Sequence, residues 1–183
     1  MLSRRTLIYA GLAAAGVAGM AGLAEIAERQ LALGPTDAAG WQPMAWPFPR
    51  DAWPAGRAWH RAGTEVYVRV KPGFCGNCDA GVATDAELDR VIDIELLDER
   101  FKAAQAGSRI RITDLFGRAR LYRRKTWYGA ERFAEGIAVC HKCDLVAAIV
   151  AGDVTDEQTR KAAHRFIESN TVQVWVNKQF AGR

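Results

Sequence analysis

Histidine is scarce in this chain: 183 residues hold three, His60, His141 and His164. No glycine-rich loop of phosphate-cradling spacing is present. No nucleophile-elbow spacing accompanies the serines, and the many carboxylates lack the spacing of a calcium loop. A haem c attachment motif is missing too, because His141 lies inside its cysteine pair rather than after it. Nothing in the sequence argues for an enzyme, so no catalytic residue, organic cofactor or small-molecule substrate is assigned. The formal charge of +4 is mild and does not announce a nucleic-acid binder. An apolar fraction of 49% is ordinary for a globular protein with a real core.

Cysteine is also sparse, and its placement is the strongest signal present. All four cysteines fall in two Cys-x-x-Cys clips, Cys75-Gly76-Asn77-Cys78 and Cys140-His141-Lys142-Cys143. Four thiolates so paired can hold a tetrahedral metal, most often zinc. They can equally pair as disulfides in any of about three connectivities. A single bridge across the intervening chain would contribute roughly 4 kcal/mol by restricting the unfolded state. Zinc knuckles usually place Gly after the second cysteine; Asp79 and Asp144 stand there instead, and an acidic neighbour disfavours a thiolate. Disulfides therefore come first and a zinc site second. A thiol-redox pair, free thiols or an iron–sulfur cluster follow. The redox reading is weakened because the next helix cap, Thr84, comes too late to lower a thiol pKa. His141 could add a nitrogen to a metal, whereas His164 shares a helix stripe with Arg160 and Glu168 and reads as surface. His60 sits on a strand without a visible partner.

The N-terminus reads as an address. Ser3-Arg4-Arg5-Thr6 precedes an uncharged Gly/Ala-rich run to about Ala24, a pattern that resembles a twin-arginine export signal. That run approaches the roughly 20 residues that span a bilayer. Residues 1–33 are expected to be a cleaved signal or a retained inner-membrane anchor, with the body in the periplasm. A buried core helix is the plain alternative. Twin-arginine signals imply export of folded protein, which keeps a metal-loaded state open despite the oxidising destination.

Residues 34–56 read as a linker arm in which Trp41, Trp46 and Trp53 alternate with prolines. Proline at that density favours an extended polyproline conformation. The tryptophans need cover, from their own domain or from a membrane partner or bilayer interface. Residues 57–183 are expected to form an α+β domain: a mostly antiparallel sheet of hairpins under two helices. Arg57–Arg61 and Thr64–Val70 alternate around Ala62-Gly63 as a first hairpin. A second runs from Arg109–Ile112 to Arg118–Lys125 through Asp114-Leu115-Phe116-Gly117. A third carries the later clip at its bend, with Leu145–Val150 as a central strand. Thr84 and Glu87 form a capping box for an acidic helix that reads as a solvated face. Thr155 and Gln158 mark a second helix, with Ala162, Ala163, Phe166 and Ile167 buried. Val172, Val174 and Val176 suggest a closing strand, or else a short helix.

Arg109, Arg111, Arg118 and Arg120 could make a basic contact surface for an acidic partner or anionic lipid. Otherwise they are a sheet face balanced by the acidic helix. Gly73-Phe74-Cys75 through Cys78, followed by Gly81-Val82 and Glu87-Leu88-Asp89-Arg90-Val91, resembles a family of proteobacterial proteins with export signals. No activity is known for that family, so the resemblance implies export and no catalytic residue. The sequence thus favours a non-enzymatic accessory or binding protein at the periplasmic face, with a small redox, zinc or iron–sulfur protein as the alternative.

Overall fold

A computed structural model describes residues 33–73, 82–141 and 143–181. The chain divides into two units, Met1–Pro35 and Thr36–Arg183. The expected signal or anchor helix lies outside the described residues, as do Cys75 and Cys78. No helix among the described residues is long and apolar enough to cross a membrane.

The second unit is α+β. Its strands are β1 (Gln42–Met44), β2 (Arg57–Arg61), β3 (Thr64–Lys71), β4 (Lys102–Ala103), β5 (Ser108–Ile112), β6 (Leu115–Lys125), β7 (Glu131–His141) and β8 (Asp144–Gly152). Its helices are α1 (Asp85–Val91), α2 (Glu157–Ile167) and α3 (Asn170–Ala181), with a 3-10 turn at Ile94–Leu96. The strands form one open antiparallel sheet in the order β1-β2-β3-β8-β7-β6-β4, and β5 also pairs with β6. Central placement of β8 follows from its composition. Leu145–Val150 is buried throughout, so both faces of the strand need cover.

Alternation in the strands builds two cores. Val66, Val68 and Val70 of β3 and Val146, Ala148 and Val150 of β8 share one face with Ala163, Phe166 and Ile167 of α2 and Val172, Trp175 and Val176 of α3. The opposite face sets Tyr67, Leu145, Ala147 and Ile149 against Leu88, Val91 and Ile92 of the α1 region. Gly136 lets α1 approach: a Cβ there would stand 2.6 Å from Ile92 Cγ1 and 2.9 Å from a Tyr122 ring carbon.

Several expectations shift by a residue or change type. Among the described residues of this unit three helices are present instead of two. The 172–176 stretch is helical because Val172, Trp175 and Val176 are buried at helical spacing while Val174 is exposed. Valine alternation gives way there to a stripe completed by tryptophan. The second hairpin turns at Thr113-Asp114, with Thr113 at φ +52°; Leu115, Phe116 and Gly117 continue β6 against β5. In the third hairpin His141 pairs with Asp144, and Cys143 lies in the bend. Asp156 caps α2 through its carboxylate and the Thr159 N–H, while Thr155 donates to Asp153. The first hairpin and the Thr84–Glu87 capping box form as expected.

The expected linker belongs to the domain. β1 pairs with β2, and Trp41 is 2% exposed with its ring stacked on Phe166 at 4.5 Å. Pro43 pairs with Trp59 within β1, at the sheet edge where a residue lacking an N–H is tolerated.

Candidate functional site

The later cysteine clip closes one end of the sheet. Lys71 of β3 pairs with Leu145 of β8, and Leu145 pairs with Cys140 of β7. Lys71 and Cys140 therefore stand two strand spacings apart, roughly 10 Å. Both belong to the face that α1 covers: Cys140 is half-buried against that core. The Gly73 N–H donates to the Asp144 carboxylate at 2.9 Å, so the chain leaving β3 is tied to the bend that carries Cys143. Cys143 itself is exposed. Cys140 and Cys143 are both disulfide-bonded, and no cysteine is free among the described residues. His141 points to the other face and stacks on Phe180 of α3, 4.8 Å between centroids. Among the described residues, which exclude Cys75 and Cys78, no three metal-ligating side chains gather.

Beside this clip lies a buried charge cluster that sequence reasoning missed. Arg69 and Lys71 alternate with valines in β3. Their side chains are 3% exposed. Lys71 Nζ pairs with Asp93 at 2.5 Å and donates to the Val91 carbonyl at 2.8 Å. Arg69 pairs with Asp51 at 2.7 Å and Asp93 at 3.3 Å. Asp93 adopts a left-handed backbone, φ +56°, which turns the chain out of α1. Burial would raise the Asp51 carboxyl; the Trp53 N–H and Arg69 outweigh it and hold that carboxyl below its ordinary value. Trp46 and Trp53 cover the cations, with Arg69 5.1 Å from the Trp46 ring and Lys71 5.6 Å from the Trp53 ring. These tryptophans are thus engaged within the domain, as Trp41 is. A signal was available: two cations in the strand leading to the clip, three aromatics just upstream, and acids at positions 51 and 93.

The expected basic surface divides. Arg118 bonds Asp85, the Ala83 carbonyl and the Gly107 carbonyl. Arg120 pairs with Asp89 at 2.6 Å and donates to the Gln105 carbonyl. The acidic helix is accordingly no freely solvated face, since its carboxylates bind β6. The Gly107 N–H and Arg118 hold Asp85 below the usual carboxylate range. Arg111 pairs with Asp114 beside the exposed Phe116 ring. Arg109 is exposed and makes no ion pair among the described residues.

Two tyrosines lie in the same layer. Tyr122 donates to Asp89 at 2.6 Å and Tyr67 to Glu65 at 2.5 Å. Burial first, then the adjoining carboxylate, raises both phenols far above their ordinary value of 10.0. A raised folded-state value gives stability that is present below the unfolded value and lost as pH rises through the folded one. Ultraviolet titration should therefore find these two of the chain's four tyrosines un-ionised until the fold gives way. Smooth ionisation of all four in the folded state would contradict this placement.

His164, a surface residue by its helix stripe, is half-buried in the structure, its Nε2 2.6 Å from the Glu135 carboxylate. Glu135 is 7% exposed and occupies an inward position of β7, between Phe133 and Ile137. A charge in that apolar register was the legible sign. The pair lines a crevice of about 340 Å³ with Ser108, Arg109 and Arg160. No hydrogen bond joins Ser108 to His164 among the described residues, so the crevice holds a carboxylate–imidazole pair without an engaged nucleophile. His60 remains exposed on β2. No protein-family model and no curated protein sequence matches the chain.

Proposed function

We propose that the chain is an exported, non-enzymatic binding or accessory protein acting at the periplasmic face of the inner membrane, its N-terminal segment serving as signal or anchor. Its two cysteine clips are structural: Cys75 and Cys78 are joined to Cys140 and Cys143 as a pair of disulfides. The observation that carries this reading is the tie between the chain leaving β3 and the bend of the later clip. The Gly73–Asp144 hydrogen bond leaves Cys75 two residues from the bend at which Cys140 and Cys143 are already oxidised. Two extended residues reach about 7 Å, and disulfide Cα separations run from about 4.4 to 6.8 Å. Lasting disulfides also require an oxidising compartment, which agrees with the arginine pair and apolar run at the N-terminus. Sulfurs committed to each other leave no thiolate for zinc or an iron–sulfur cluster.

Trypsin separates pairing between the clips from pairing within them, because Lys142 lies between Cys140 and Cys143. Unreduced protein from the periplasmic side should show no alkylatable thiol. Its digest should give one species joining the Val70–Arg90 peptide to both peptides flanking Lys142. A bond within the later clip alone would join the flanking peptides to each other and leave Val70–Arg90 separate. Four free thiols with stoichiometric zinc or iron would replace the disulfide reading by the metal one.

A further inference from the structure

Of the tryptophans that sequence marked for contact, Trp41 is buried and Trp46 and Trp53 are half-buried against the domain, whereas another aromatic pair stands almost wholly in water. Trp127 is 90% exposed and Tyr128 98%. They form the tip of the β6–β7 hairpin, the longest two strands of the sheet. The turn is closed by Thr126 N–H to the Ala130 carbonyl at 2.7 Å and Gly129 N–H to the Thr126 carbonyl at 3.0 Å. Gly129 takes the positive φ, +81°, that completes it. Arg100 lies 5.4 Å from the Trp127 ring. The aromatics are thus presented by a hydrogen-bonded turn.

The flanks are basic. Residues 123–132 read Arg-Arg-Lys-Thr-Trp-Tyr-Gly-Ala-Glu-Arg, four cations against one carboxylate. Arg123 is met by Glu131 at 3.3 Å and Arg124 by Asp98 at 3.4 Å. Lys125 and Arg132 are exposed and make no ion pair among the described residues.

We propose that this tip docks onto an anionic bilayer surface, with Trp127 and Tyr128 entering the headgroup layer and Lys125 and Arg132 facing lipid phosphates. Trp and Tyr are the residues that concentrate at membrane–water interfaces, where an apolar ring and a polar edge are both served. Cations beside them add attraction to anionic lipid that decays within a Debye length. Size argues against a protein partner. A Trp and a Tyr together offer roughly 400 Å², about half of the roughly 800 Å² that each partner of a standard protein interface buries. A convex two-residue knob suits a deformable surface. The inference rests on the membrane-face reading above and names the part of the domain that makes the contact.

The test uses the full chain with vesicles of phosphatidylcholine containing phosphatidylglycerol, one batch carrying brominated acyl chains that quench nearby tryptophan. Residues 1–33 contain no tryptophan, so their insertion is silent in this readout. Flotation reports separately whether the chain is on the vesicle. Brominated anionic vesicles should quench the native chain, and Trp127→Phe should remove roughly half or more of that quenching, since the other rings lie on or within the domain. Pure phosphatidylcholine or added salt should weaken it. A floating chain whose quenching is absent, or unchanged by Trp127→Phe, overturns the tip while leaving the membrane-face reading in place. A chain that does not float overturns both. Shielding of Trp127 from acrylamide in native membranes, absent in protein-free vesicles, would show a protein partner and overturn the bilayer as occupant.

Discussion

Replacing Cys140 and Cys143 together by serine is expected to lower the unfolding free energy by about 4 kcal/mol, read as a shift of the urea midpoint. The size follows from loop length. A bond from Cys75 to Cys140 spans roughly 65 residues, for which the chain-entropy model gives about 4 kcal/mol. The second bond of the pair closes only short loops once the first exists, so the effect is not doubled. A bond between Cys140 and Cys143 would close about four residues and contribute roughly 2 kcal/mol. The measured loss therefore discriminates pairing between the clips from pairing within them, in parallel with the digest. A loss under about 1 kcal/mol would mean that the disulfides do not hold the fold. Reduction of the native chain should reproduce the serine result. Agreement between the two excludes a merely steric effect of the substitution.

Asp93→Asn is expected to cost about 3–5 kcal/mol. The substitution keeps the side-chain shape, and Asn tolerates the left-handed backbone that residue 93 adopts. What it removes is one of two negative charges facing Arg69 and Lys71, both cations being 3% exposed. Arg69 retains Asp51, but Lys71 is left with the Val91 carbonyl and the Trp53 ring. A buried ammonium without a counter-ion is the costly outcome. Adding Lys71→Met removes that ammonium as well and should recover most of the loss. A double-mutant cycle then reads the coupling directly. If Asp93→Asn alone costs less than about 1 kcal/mol, water reaches the cluster in solution and the burial of Lys71 is not maintained.

The sheet was legible because its strands alternate or run apolar without a break, and periodicity is the signal sequence carries best. Leu145–Val150 announced a strand covered on both faces, and it lies in the middle. Ala62-Gly63 announced a turn, and both residues take positive φ there. Errors arose where local pattern and tertiary context diverge. Val172, Val174 and Val176 alternate, yet Trp175 and Phe180 complete a helical stripe that packs on α2 and the sheet. The prolines near Trp41 and Trp46 suggested an arm, yet a three-residue edge strand and ring stacking draw it into the domain. Arg69, Lys71, Glu135 and Arg118 were charged positions whose side-chain partners lie 18 to 33 residues away. No local rule names such partners. The cysteine clips themselves were visible, but the pairing of β3 with β8, which brings Gly73 to the bend carrying Cys143, was not.

That pairing has a bearing on synthesis. Tyr67 stands opposite Ile149, so the middle of the sheet joins segments roughly 80 residues apart, the kind of non-local contact that slows folding. A nascent chain that has not yet emerged past Asp144 holds β2 and β3 as a hairpin whose inner edge has no neighbour. Bare strand edges of this kind invite pairing with other chains. Maturation of the body must therefore wait for its last quarter to leave the ribosome, and a holdase that shields β3 in the interval would raise the yield of native protein.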